Sequence, residues 1–118
     1  PAPAGSIKVA KASGPHAYSI AELYAQKDKL ANQKVVVRAQ VVKATPNIMK
    51  RNWIHLQDGT GDPAKGTFDL TVTSQELPKV GEVVVIEGEL HVDRDFGAGY
   101  RYGLIIENAT VKPGDASS

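Results

Sequence analysis

The chain has 118 residues, 42% of them hydrophobic and 23% charged, which are the proportions of one globular domain with a single core. Its formal net charge of +1 points to no polyanion partner, and no apolar run approaches the roughly 18 residues of a membrane-spanning helix. The absence of cysteine excludes a disulfide framework, a thiolate zinc site, a catalytic thiol and covalent c-type haem attachment.

Residues 1–17 (PAPAGSIKVAKASGPHA) are rich in Pro, Ala, Gly and Ser and read as a flexible arm. A start at Pro1 without methionine reads as a mature end left by signal-peptide removal; a trimmed recombinant chain would read the same. The expectation is a periplasmic or extracellular protein. In YSIAELYAQKDKLANQ, Ser19 and Glu22 have the spacing of a capping box. Ile20, Leu23, Tyr24, Lys27 and Leu30 share a face at helical spacing, which predicts one helix over about 19–31, ended near Asn32, whose apolar stripe covers the end of the core.

Five strands follow. KVVVRAQVVKA (34–44) alternates, with Val35, Val37, Ala39 and Val41 on one face and Arg38 and Gln40 on the other; its length predicts a strand that bends and serves two sheets. NWIHLQD (52–58), TFDLTVT (67–73), EVVVIEGELHVD (82–93) and YRYGLIIENATV (100–111) complete the set, and Gly88 marks a sharp bend in the fourth. The folded domain spans 18–112, with a flexible tail over 113–118. The expected fold class is all-β, a five-stranded Greek-key OB-fold barrel with one N-terminal α-helix, and an SH3-like barrel is its structural rival.

Strand 52–58 offers two sets of side chains. Ile54 and Leu56 make the better core pair, because His55 and Gln57 would need buried partners. Trp53 then lies on the outer face with His55, where it either meets a ligand or packs under loop residues such as Ile48 or Met49.

NWIHLQDGTGD resembles the second-strand signature of OB-folds of the anticodon-binding type: an aromatic, alternating apolar residues, Asp, then a glycine-rich turn. The longer stretch from VVVRAQVVKATPNIMKRNWIHLQDGTGD to DRDFGAGYRY is similar to small exported bacterial OB-fold proteins described as nucleic-acid-binding. The resemblance implies that the aromatic at Trp53 faces nucleic acid. It covers about 34–111 and brings no synthetase catalytic domain with it.

An OB-fold binds on its second and third strands, between the loop joining strands one and two and the loop joining strands four and five. The first loop carries Lys43, Asn47, Lys50, Arg51 and Asn52; the second carries Arg94, Phe96, Tyr100, Arg101 and Tyr102. With Arg38, Trp53 and His55 on the strands, these supply cations for phosphates and flat rings for bases. From Lys34 through Gln57 there are five bases and no acid, whereas Asp58 through Asp95 holds nine acids and three bases. Closing the end of the barrel is the alternative role of these rings, and Asp93 and Asp95 repel phosphate unless Arg94 or Arg101 pairs with them.

DGTGD lacks EF-hand spacing and reads as a tight turn. His16, His55 and His91 show no metal-ligand spacing. No nucleophile stands beside a base, so no catalytic residue, metal or cofactor is assigned. The first functional expectation is a non-enzymatic protein that binds nucleic acid, single- or double-stranded DNA. The alternative is a self-assembling structural protein. In it the arm's SIKVA adds a strand to a neighbour's edge, and basic and acidic surfaces join copies head to tail as an oligomer or filament, one that could coat DNA. A module for an oligosaccharide or for a redox partner such as a cytochrome is the third reading.

Overall fold

A computed structural model describes residues 7–114. After two short helices, α1 (Ile20–Ala25) and α2 (Lys27–Leu30), come five strands: β1 (Lys34–Ile48), β2 (Arg51–Gln57), β3 (Leu70–Ser74), β4 (Val83–Asp95) and β5 (Arg101–Pro113). A 3-10 turn, Pro63–Lys65, lies between β2 and β3. The strands form one closed sheet in the order β1-β2-β3-β5-β4, with β4 returning to β1.

β1 closes the sheet because it is long enough to pair twice. Lys34–Gln40 pairs with β4 and Gln40–Ile48 with β2, both antiparallel, with a register shift between Val41 and Lys43 where the strand changes partner. Val35, Val37, Ala39 and Val41 are fully buried, as their alternation requires. In β4, Gly88 sits at a register shift against β5; a Cβ there would lie 2.7 Å from Ile106 Cγ2 and 3.1 Å from the Ala109 Cα. Glycine is needed at this point for the close approach of β5.

The parallel β3–β5 pairing is short: Thr71 faces Ile105 and Val72 faces Ile106. Beyond it, side chains stand in for the missing ladder. The Asn108 amide donates to Thr73 Oγ1, Ser74 Oγ donates to the Ala109 carbonyl at 2.6 Å, and the Val111 amide donates to a Glu76 carboxylate oxygen at 2.8 Å.

The Ser19–Glu22 capping box is present in both directions. Ile20, Leu23 and Leu30 join the strand valines in one core, each worth about 1.5–3 kcal/mol on burial. The single helix expected over 19–31 is interrupted at Gln26, whose φ of −113° and ψ of 18° leave the helical region. The next three residues, Lys27, Asp28 and Lys29, are all exposed, so no packing holds the ladder continuous there. Among the described residues no helix is long and apolar enough to cross a membrane.

The arm expected to be loose is docked over its described part. Ile7 and Ala12 are buried, the Val9 amide donates to the Asp58 carbonyl at 3.0 Å, and Ala17 bridges Val36 in parallel. Gly59, with φ +89°, lies so close to the Ile7 carbonyl that an added Cβ would collide with it. SIKVA, from Ile7 onward, thus packs on its own chain; Ser6 and the residues before it lie outside the described region. The tail expected over 113–118 is likewise fixed where described: Pro113 pairs with Val84 and Gly114 is buried against Val83.

Candidate functional site

β2 divides its side chains as its alternation demands. Ile54 and Leu56 are fully buried in the core. Trp53 lies outside that cluster, on the opposite face, yet is only 3% exposed. Its indole N–H donates to the Ile48 carbonyl at 2.8 Å. Tyr102 stacks on it, with ring centroids 5.6 Å apart and planes inclined by 25°. Phe96 meets it edge-on at 5.2 Å, and Tyr100 leans against it at 5.5 Å. Of the two surroundings open to an outward-facing tryptophan, the ring has the intramolecular one. Aromatic pairs of this kind contribute about 0.5–1.5 kcal/mol each beyond the area they bury. They join the β1–β2 turn to the β4–β5 hairpin across the end of β2.

A charged cluster adjoins the rings. Arg94 forms a two-pronged pair with Glu107, Nε to Oε2 at 2.5 Å and Nη2 to Oε1 at 3.1 Å. Arg51 approaches the same carboxylate, with Nη1 4.0 Å from Oε1. Both guanidinium groups also lie over Phe96, at 4.6 Å for Arg94 and 5.3 Å for Arg51. The Glu107 side chain is 8% exposed, so its charge needs this company. The hydrogen bond to Glu107, and then its negative charge, hold Arg94 above its ordinary range, while burial and then Tyr100 push Tyr102 up. Arg94 therefore stays protonated and Tyr102 neutral around neutral pH.

The other residues picked from the sequence fall in different places. Arg38 is turned to the chain ends: its Nε donates to the Gly114 carbonyl at 3.1 Å and its Nη1 to the Ala10 carbonyl at 3.2 Å. Asn52 staples loops, donating to the Gln75 and Glu76 carbonyls and accepting from the Asn47 amide. His55 Nδ1 lies 3.0 Å from Asp69 Oδ2 and 3.5 Å from Thr71 Oγ1. Arg101 is exposed and 3.7 Å from Asp95. Lys43, the register partner of His55 on β1, and Lys50 are exposed, and neither side chain has a hydrogen bond or ion pair among the described residues.

The structure thus assembles Arg51, Trp53, Arg94, Tyr100 and Tyr102 into one cluster and leaves Arg38 and Asn52 as internal braces. Two partners were missed in the sequence. Glu107 is an acid inside the apolar run GLIIENATV, a pattern that signals a buried charge needing a cation. Asp58, in the glycine turn after β2, is 3% exposed and bonds the first helical amide. A cleft of about 280 Å³ lies along the hairpin, lined by Asp93, Arg94, Asp95, Arg101, Tyr102 and Gly103, where charges of both signs alternate. Among the described residues no group of three or more His, Cys, Asp or Glu is placed to hold a metal ion.

No protein-family model matches the chain, and no curated protein matches it significantly.

Proposed function

We propose that the closed sheet is an OB-fold and that the protein is a non-enzymatic binding protein holding nucleic acid by its phosphates. The observation that carries this reading is the convergence of Arg51 and Arg94 on the single carboxylate of Glu107. Two guanidinium charges meet one negative charge, so one positive charge is left where the two loops join. Arginine offers five N–H donors, and Glu107 engages only two from Arg94. Arg51 gives its Nε donor to the Met49 carbonyl, and the donors left over on the two arginines suit phosphate oxygens in a forked geometry. Lys43 and Lys50, exposed and without side-chain partners among the described residues, extend the cationic surface along the β1–β2 side.

The loops concerned are those that flank the ligand in an OB-fold, which supports both halves of the proposal together. The charges count is modest, so the affinity is low and strongly salt-dependent, each phosphate contact releasing about one condensed counterion. Asp93 and Asp95, which line the hairpin cleft together with Arg94 and Arg101, oppose binding there, with Asp95 partly offset by Arg101. The reading therefore favours contact along Lys43, Lys50 and Arg51.

The test is a titration of labelled DNA across a salt series, with the wild-type protein and with a Lys43→Glu, Lys50→Glu variant. Both substitutions fall on exposed side chains, so the fold is retained. The expected result is measurable binding at low salt that weakens on a log–log line, with a shallower slope and weaker binding for the variant. Binding that ignores salt, or that the variant leaves unchanged, removes the proposal.

A further inference from the structure

Resting on that reading, we infer that the nucleic acid held is duplex in preference to single strand. The reason lies in how the rings are used. A single-strand binder gains on the order of tenfold in affinity for each base stacked on an open aromatic face. Here Trp53 is 3% exposed, one face lies against Tyr102, and Phe96 and Tyr100 crowd the rest. The indole N–H, which would otherwise mark an exposed edge, is bonded to the Ile48 carbonyl. Tyr102 is engaged by Trp53 and approached by Phe96 at 6.2 Å. Phe96 itself has the guanidinium groups of Arg51 and Arg94 over its ring. A base can reach Trp53 only by parting rings that already stack on one another, so one stack is exchanged for another and little is gained.

What remains for the ligand is charge. Duplex DNA carries one phosphate per about 1.7 Å of axis, twice the linear density of one strand, and it returns more counterions for each phosphate neutralised. A small patch of cations whose tryptophan is closed to bases therefore favours the polymer with the denser charge. It does so without reading sequence, because phosphate contacts carry none.

The protein has a single tryptophan, so its emission reports on this cluster alone. The experiment compares a short duplex with one of its own separated strands, at equal phosphate concentration and low salt, following affinity by anisotropy of a label on the DNA and Trp53 by its emission. The expected result is about tenfold tighter binding of the duplex, with Trp53 emission unchanged at saturation. A Tyr100→Ala variant, which trims the half-exposed ring at the hairpin tip, should gain affinity for the strand and quench on binding it, with duplex binding unaltered. Equal or tighter strand binding by the wild type, accompanied by quenching, overturns the duplex preference and leaves the phosphate-binding reading in place. Failure of both forms to bind removes the two together.

Discussion

The Asp58 carboxylate accepts the backbone amide of Ile20 at 2.9 Å, joining the turn after β2 to the first residue of a helix 38 positions earlier. The same carboxylate accepts the Thr60 amide and hydroxyl, at 2.9 and 2.6 Å, and Thr60 Oγ1 in turn accepts the Ala21 amide at 2.9 Å. The DGT turn thus satisfies two amides that the start of α1 leaves without intrahelical partners. Ser19 caps a third, that of Glu22. A helix of six residues is too short to persist alone, and this double capping fixes it where Ile20 and Leu23 enter the core.

Asp58→Ala is expected to destabilise the fold by about 2 kcal/mol, from the lost cap and the unsatisfied buried amide of Ile20. Asp58→Asn, which keeps one acceptor oxygen, should cost less. Urea denaturation of the three proteins checks the order, and equal midpoints would show that the turn does not anchor the helix.

Glu107→Ala should raise affinity for DNA while lowering stability. The substitution releases both Arg51 and Arg94 from their shared carboxylate and adds one net positive charge at the loop junction. The log–log salt slope should steepen by about 0.9 for one further phosphate contact. Weaker binding by a folded variant would contradict the proposed use of these arginines.

The Gly59→Ala variant should lift the N-terminal segment from the body and leave the core intact. Gly59 has φ +89°, costly for alanine by about 1–2 kcal/mol, and its new methyl group meets the Ile7 carbonyl. Hydrogen exchange at the Val9 amide, which donates to Asp58, should lose its protection, while the Val37 amide in β1 keeps its own. Loss of protection at both would mean that the segment and the sheet unfold as one unit.

The Glu22 carboxyl is held below the usual carboxylate range, chiefly by the Ser19 backbone amide and next by the Lys11 side chain. A depressed folded-state value stabilises above the ordinary carboxylate range and is lost as pH falls through the folded value. Glu22→Gln should therefore melt lower than the wild type at neutral pH, and the gap should narrow as the solution is acidified past that range. Thermal melts over a pH series check this, and a gap constant with pH would exclude the charge as its source. The side chain is 39% exposed, so the effect is small.

Much of this architecture was readable because it is local. The alternation in KVVVRAQV placed Val35, Val37, Ala39 and Val41 inside, and Ser19 with Glu22 marked the helix start. The choice between Ile54–Leu56 and Trp53–His55 followed from polarity alone. The misreadings concern groups whose partners are far off in sequence. Arg38 looked like a surface cation until its carbonyl partners, Ala10 and Gly114, came from opposite ends of the chain. PAPAGSIKVAKASGP has the composition of a loose lead, but Ile7 finds its seat only because Gly59 has no side chain. Trp53 showed its face in the sequence but not its cover, which comes from Phe96, Tyr100 and Tyr102, more than forty residues later.

The short β3–β5 seam has a consequence for keeping copies apart. A ring of strands offers no rim to which another chain can add, so intermolecular growth must wait for the ring to part. It would part where only two residue pairs face each other, exposing the flanks of β3 and β5 together. Thr73, Ser74 and Glu76, by clasping the backbone of β5 with their side chains, hold that seam shut.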